Sequence, residues 1–380
     1  LRIALVHEWL TTYAGAERVL EQMIATFPEA DFFALCDFLP QEERAFLQGR
    51  VPQTTLIQRL PLARSKYRAY LPLMPLAIEK FDLSGYDLVI SSSHAVAKGV
   101  LTGPEQLHIS YVHSPMRYAW DLQHQYLAEA GLGNGLRGWA ARWILHRIRL
   151  WDVRTANGVD AFVANSNYIA RRIWKVYRRK AQVIYPPVDV EHFSVRAAKE
   201  PFYLAASRMV PYKRMGLVVD AFAAMPGRRL VVAGDGPELR KIQAKARGAA
   251  NIEVVGFLRT EVLRDYLTRA QALVFAAEED FGILPVEAQA CGTPVIAYGR
   301  GGCRETVVEG VTGLFFDAQT PDAVMDAVER FECCRNRFDP AVIRHHAESF
   351  STDRFRNEFS TFVRETWERF RTERDRCFTG

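Results

Sequence analysis

Glu278-Glu279-Asp280-Phe281-Gly282-Ile283-Leu284-Pro285-Val286-Glu287-Ala288-Gln289-Ala290-Cys291-Gly292-Thr293-Pro294-Val295 is the stretch from which the fold is read. The apolar run 272–276 before it has the length of a buried strand, and 294–297 repeats that character at its far end. Between them the pattern predicts a short helix opening at Pro285, a residue suited to a first helical turn. Strand, helix and strand in succession make the unit of a parallel sheet, because parallel neighbours need a crossover that returns the chain to the same edge.

Working outward, the same alternation recurs along the whole chain. One series of strands is expected at 2–7, 31–36, 86–91, 108–112, 160–164 and 181–185. A second is expected at 202–206, 229–233, 252–255, 272–276, 294–297 and 313–316. The extended stretch Pro186-Pro187-Val188-Asp189 and the polar stretch Arg196 to Glu200 separate them. The reading is therefore α/β, with one doubly wound domain over 1–188, a second over 201–350, and terminal helices over 351–380 that return to the first. Ligands of such sheets bind outside the carboxyl ends of the strands, so the two domains are expected to face each other across a cleft.

Composition narrows the class. With 380 residues, 49% of them hydrophobic and 24% charged, the chain is long enough for two globular domains. Its net charge of +5 is too small to argue for nucleic acid. No apolar run approaches the roughly 20 residues of a membrane span. The strand-like Arg2-Ile3-Ala4-Leu5-Val6 comes at once, without a basic start and apolar core, so a cytoplasmic chain is expected. Cys36, Cys291, Cys303, Cys333, Cys334 and Cys377 lack metal-ligand spacing and suit reduced thiols.

The opening segment also carries chemistry. Unpaired N–H groups at a helix start make an anion site, and here they fall at Gly282, Ile283 and Leu284. Glu279 before the helix and Glu287 on it flank that site. A second segment, Ala206-Ser207-Arg208-Met209-Val210-Pro211-Tyr212-Lys213-Arg214, follows the first strand of the second domain. Arg208 offers a two-pronged fork and Lys213 a point charge where a diphosphate would lie. Each alone reads as surface charge. Cations for phosphates beside carboxylates for hydroxyls describe a ligand with sugar rings and phosphates.

These two segments resemble the signature of the retaining GT4 glycosyltransferases of GT-B fold. That family carries an E-G-F-G-L-P-x-x-E pattern whose two glutamates match Glu279 and Glu287, with Asp280 in place of the glycine. Ala233-Gly234-Asp235-Gly236-Pro237, Val255-Gly256-Phe257 and Gly301-Gly302-Cys303-Arg304-Glu305-Thr306 extend the resemblance to nearly the whole chain. By the same resemblance Gly15, between the first strand and a helix starting near Ala16, approaches the donor diphosphate. His113, at the end of strand 108–112, matches the family's active-site histidine and is expected to hydrogen-bond the donor sugar, at its 6-hydroxyl. The block His113-Ser114-Pro115-Met116-Arg117-Tyr118-Ala119-Trp120-Asp121 and the form Glu278-Glu279-Asp280-Phe281-Gly282-Ile283 together resemble the mannosyltransferase branch that builds bacterial surface polysaccharides.

The resemblance implies transfer of a hexose, mannose from GDP-mannose, to a polyprenyl-diphosphate-linked glycan. Front-face attack is expected, with the departing diphosphate taking the acceptor proton. Arg208 and Lys213, together with N–H groups near Gly15 and at Gly282 to Leu284, stabilise its charge. Glu287 holds the ribose hydroxyls and Glu279 a sugar hydroxyl. No Asp-x-Asp metal motif occurs, and neither metal nor cofactor is expected. UDP-hexose or a deoxysugar donor, and a GT-B sugar-nucleotide epimerase, are the alternatives. A dinucleotide oxidoreductase is disfavoured because neither first strand leads into a Gly-x-Gly-x-x-Gly turn.

Segments 59–80 and 137–151 interleave Arg and Lys with aromatic and aliphatic residues. Half of each reads as an amphipathic helix packed on the first domain. The remainder is expected to rest on the anionic cytoplasmic face of the inner membrane.

Overall fold

The computed structural model describes the backbone of residues 1–378 and side chains up to Arg376, so the Cys377 thiol lies outside the described residues. The chain forms two compact units, Leu1–Tyr185 with Phe355–Gly380, and Pro186–Arg354. The first holds strands β1 (Ile3–Leu10), β2 (Asp31–Asp37), β3 (Gln53–Thr54), β4 (Leu88–Ser93), β5 (Leu107–Val112), β6 (Ala161–Ala164) and β7 (Ala181–Val183). The second holds β8 (Glu200–Ala206), β9 (Arg229–Ala233), β10 (Ile252–Gly256), β11 (Ala270–Phe275), β12 (Val295–Tyr298) and β13 (Gly313–Phe316).

Every ladder is parallel, in the orders β3-β2-β1-β4-β5-β6-β7 and β10-β9-β8-β11-β12-β13. Such sheets are covered on both faces, which is why β4 and β5 are buried along their whole length rather than alternating. In the first sheet Leu5 joins a core with Val19, Met23, Phe355 and Phe359, while Ala4 and Val6 join another with Met74, Ile78, Leu145 and Ile148. The terminal helix Thr352–Phe378 docks on the first unit because Phe355 and Phe359, one turn apart, are both fully buried. Each such ring contributes about 1.5–3 kcal/mol of burial.

Four local expectations are corrected. β1 runs past the expected 2–7 to Leu10, so Glu8 and Trp9 are strand residues and not the connecting loop. β3, a two-residue edge strand beside β2, is too short to leave a pattern. The helix after β11 opens at Ile283 behind Gly282, whose left-handed φ of 92° turns the chain into it. Pro285 sits in its first turn, where its missing N–H costs no bond. Segment 59–80 is no continuous helix but a run of short turns, Leu56–Arg59, Ala63–Lys66, Tyr67–Leu73 and Met74–Ile78, broken up by Pro61, Pro72 and Pro75.

Candidate active site

In a doubly wound sheet a crevice opens where the strand order reverses, because the two flanking crossovers leave on opposite faces. The reversal falls between β1 and β4 in the first unit, and between β8 and β11 in the second. Residues from both resembling motifs stand at or beside these points.

In the first unit, His113 follows β5 directly, and its Nε2 lies 2.8 Å from Ser92 Oγ on β4. The same hydroxyl lies 3.0 Å from Nδ1 of His7 on β1, and His7 Nε2 meets Glu17 Oε1 at 3.5 Å. Burial, reinforced by the neighbouring His94 and His7, holds the His113 imidazole well below its usual pKa and keeps it neutral. Burial also works against ionisation of Glu17, but the hydrogen bond from His7 leads the causes that oppose it, and the pKa falls.

Glu8 is fully buried, yet its carboxylate accepts from Ser93 Oγ and from the N–H groups of His94, Ala95, Val96 and Ala97 at 2.7–3.0 Å. Burial opposes its charge; His94 and the N–H groups of Ala97, Val96 and Ala95 more than offset it, and the pKa falls. Glu8 thus clamps the loop after β4 to the end of β1. Gly15 is the first residue of the helix Gly15–Thr26, behind Ala14, which has no capping side chain; Glu17 Oε2 instead accepts from Ala14 N–H at 3.0 Å. His7, Glu8, Glu17 and Ser92 were not singled out from the sequence. The signal that was there is Ser91-Ser92-Ser93 at a strand end, where each hydroxyl meets a histidine or a carboxylate.

In the second unit, Lys213 and Glu279 form an ion pair between the loops after β8 and β11, with side chains 16% and 14% exposed. Phe275 and Tyr212 lie beside the ammonium, with ring centres 5.8 and 5.3 Å away. Arg208 is exposed, on the same loop as Lys213. Gly234 and Gly236, at φ of 134° and 148°, let the loop after β9 lie directly on this one: a Cβ on them would stand 1.9 Å from the Ser207 carbonyl oxygen and 2.6 Å from that of Met209. The Glu279 loop is held in the same way. Gly302 N–H donates to the Glu279 carbonyl at 2.7 Å, and a Cβ on Gly301 would stand 2.3 Å from that oxygen.

Ile283 and Leu284 are half-buried in the first turn of the helix Ile283–Ala290, and Glu287, one turn on, is buried. The second unit therefore gathers Arg208, Lys213, Glu279 and the Gly282–Glu287 turn at one switch point, while His113 and Gly15 belong to the first. Among the described residues no group of three or more His, Cys, Asp or Glu side chains suits a metal ion.

The long helix Gly135–Ala156 has two characters, as expected for its half-packed face. Leu145, Ile148 and Asp152 are buried, while Leu136, Trp139 and Trp143 are exposed at 89%, 67% and 54%. Trp143, Arg147 and Trp151 line a cavity of about 290 Å³ with Pro72 and Pro75. Among the described residues no helix is long and apolar enough to cross a membrane.

Residues 13–192 match the family described as "Glycosyltransferase Family 4", and residues 188–341 match "Glycosyl transferases group 1". The two halves of the chain thus each carry a glycosyltransferase domain, which supports a GT4 glycosyltransferase. Among relatives of this family, the D-inositol 3-phosphate glycosyltransferase of Mycobacterium tuberculosis is 28% identical over 252 residues, covering 59% of this chain and 52% of that protein. The chain thus spans about half the length of the curated relatives it matches. In fold, the chain is similar to sucrose-phosphate synthase from Thermosynechococcus elongatus (TM-score 0.75, 19% identity, 97% of this chain and 100% of that one). It is also similar to Anabaena HepE in complex with UDP (TM-score 0.71, 16% identity, 96% and 100%). These likenesses establish the GT-B architecture.

Proposed function

We propose that the chain is a retaining, metal-independent hexosyltransferase that moves mannose from GDP-mannose to a polyprenyl-diphosphate-linked glycan. The observation that carries the transfer reading is the pairing of Lys213 with Glu279 beside the Gly282–Glu287 turn. One cation, one carboxylate and a set of free helix-start N–H groups are what a sugar diphosphate needs at its charged and hydroxyl ends.

In this reading Arg208 and Lys213 draw off the negative charge that grows on the diphosphate as the anomeric bond breaks. The N–H groups of Gly282, Ile283 and Leu284, and those at Gly15, add to that field without moving during the reaction. Glu287 holds the ribose hydroxyls, Glu279 a hydroxyl of the sugar, and neutral His113 another. The leaving diphosphate takes the acceptor's proton, so no separate base is assigned, and the new bond forms on the face the old one left. The fixed cations do the work a divalent ion does elsewhere.

Mannose and guanine rest on the resemblance of His113–Asp121. A UDP-hexose donor is the second reading, favoured by the UDP-bound state of HepE. The exposed Trp139 and Trp143, with cations on the same helix, support an acceptor taken from an anionic bilayer at the cytoplasmic face of the inner membrane.

A donor panel tests the proposal: GDP-mannose, UDP-glucose, UDP-galactose and a deoxysugar nucleotide, with and without lipid-linked acceptor, in the presence of EDTA. Nucleoside diphosphate release that rises with acceptor and keeps the anomeric configuration supports transfer. Epimerised donor without release would establish the epimerase alternative, and loss of activity in EDTA would overturn metal independence.

A further inference from the structure

We propose that Glu17, His7 and Ser92 are positioning residues that set the tautomer of His113, leaving it a bare acceptor nitrogen, Nδ1, toward a sugar hydroxyl. The proposal rests on the reading that His113 meets the donor sugar and names what that contact demands.

A chain of single protons links Glu17 to His113. An ionised carboxylate only accepts, so Glu17 Oε1, at 3.5 Å, calls for a proton on His7 Nε2, and we take the fully buried His7 to carry that proton alone. His7 Nδ1 is then a lone pair, and among the described residues the only proton within reach is that of the Ser92 hydroxyl, 3.0 Å away. Having donated to His7, the Ser92 oxygen can only accept from His113 Nε2, at 2.8 Å. A neutral imidazole carrying its proton on Nε2 has none on Nδ1.

The partners have nowhere else to turn. His7 and Ser92 are 0% and 1% exposed, and His7 stands opposite Ser92 in the β1–β4 ladder, so the sheet register itself brings them together. The His113 ring is wedged between Tyr111 and His94, with ring centres 5.2 and 6.2 Å away. Its main chain is tied by its N–H to the Ser93 carbonyl and by its carbonyl to the Asn165 amide, both at 2.9 Å. Among the described residues no hydrogen-bond partner occurs at His113 Nδ1, and the residue is only half-buried.

The consequence is chemical selectivity. A hydroxyl can donate to a bare nitrogen, whereas fluorine, which accepts but never donates, cannot replace it. Replacing that hydroxyl by fluorine should then cost as much as replacing it by hydrogen.

Two measurements decide this on the full chain. ¹⁵N spectra of histidine-labelled protein at pH 7.5, assigned with His7→Gln and His113→Gln, should show both rings protonated on Nε2 and bare on Nδ1. Protonation of His113 on Nδ1 would overturn the proposal without reference to any sugar. Next, donors whose hydroxyls are replaced one at a time by hydrogen and by fluorine are assayed for kcat/KM. One position should lose about tenfold with either replacement, and in Ser92→Ala that penalty should shrink while a merely structural defect would leave the ratio of hydroxyl to fluoro donor unchanged. Tolerance of fluorine at every position would overturn the acceptor role. Nε2 protonation in a protein that turns over no nucleotide sugar would support the proton chain and overturn the functional reading.

Discussion

Lys213 and Glu279 form an ion pair across the second unit's switch point. A ligand that separates or shares them must supply both an anion and a hydroxyl. Lys213→Ala should therefore lower kcat/KM by about two orders of magnitude, roughly 3 kcal/mol, because the lost charge is one used in the transition state. Arg208→Ala, with an exposed side chain, should do the same without loss of melting temperature. The double variant Lys213→Met, Glu279→Gln should lose less than the sum of its parts, since each single change strands a half-buried partner. Steady-state rates for the four proteins check this, and strict additivity would contradict the coupling.

Glu287→Gln should act on binding more than on turnover. Its carboxylate is buried one turn into the helix Ile283–Ala290, where an interaction with ribose would be the same before and during reaction. The expected result is a raised KM for donor at nearly constant kcat, by about tenfold for a lost charge-assisted bond.

Gly301→Ala should disable the site from outside it. The new Cβ would stand 2.3 Å from the Glu279 carbonyl oxygen at a φ of +69°, so the Glu279 loop must move. A loss of about 2–3 kcal/mol in stability is expected together with loss of activity. Gly310→Ala is the control, because its φ of +74° is equally unfavourable but nothing lies within 4 Å of its Cβ. It should lose stability and keep activity.

Acidification should weaken the first unit in two stages. His108 is fully buried, bonded to Ser91 Oγ and to the Gly158 carbonyl, and burial pulls its pKa from 6.5 to about 4. The unfolded chain takes up this proton near pH 6.5 and the folded one resists until about 4, so stability falls with pH across that window, by about 3 kcal/mol at its foot. Glu8 adds a second loss at lower pH: its folded pKa is depressed, so the stability it contributes is present above the ordinary glutamate value and disappears as pH drops through the folded one. Urea titrations from pH 7.5 to 4 should show the first stage become shallower in His108→Gln, with His113 contributing what remains, and persist in Glu8→Gln.

Liposome flotation reads the surface of the long helix. Binding should require anionic lipid, fall with salt, and weaken when Arg64, Lys66 and Arg68 are neutralised together, each nearby cation contributing about 1 kcal/mol. Trp139→Ala with Trp143→Ala should reduce binding to the same vesicles without altering the fold, since both rings are more than half exposed. Equal recovery with neutral vesicles would remove the electrostatic part.

Much of the architecture was legible along the chain because strand and helix signals are local. Apolar runs placed twelve of the thirteen strands to within a few residues, and the one missed, Gln53–Thr54, is two residues long. The spacing of Glu279 and Glu287 around a helix start was equally local, and so was the resemblance it carried. What lies far apart in sequence was decided by the fold. His7 and Ser92 are 85 residues apart and meet only because β1 pairs with β4 in a register that sets one opposite the other. Glu8 falls just past the strand expected at 2–7, yet it is a fully buried anchor because Ser93 at the end of β4 and the four N–H groups that follow turn toward it. Periodicity reports which side of a strand faces a core, but register follows from packing both faces of the whole sheet at once. The sequence by itself therefore determined two parallel-sheet units, and the resemblance it carries set the expectation of sugar-phosphate chemistry at their strand tips. Only the tertiary structure decided which buried groups meet His113, since a hydrogen bond needs its donor and acceptor within about 3 Å, a distance no linear pattern encodes.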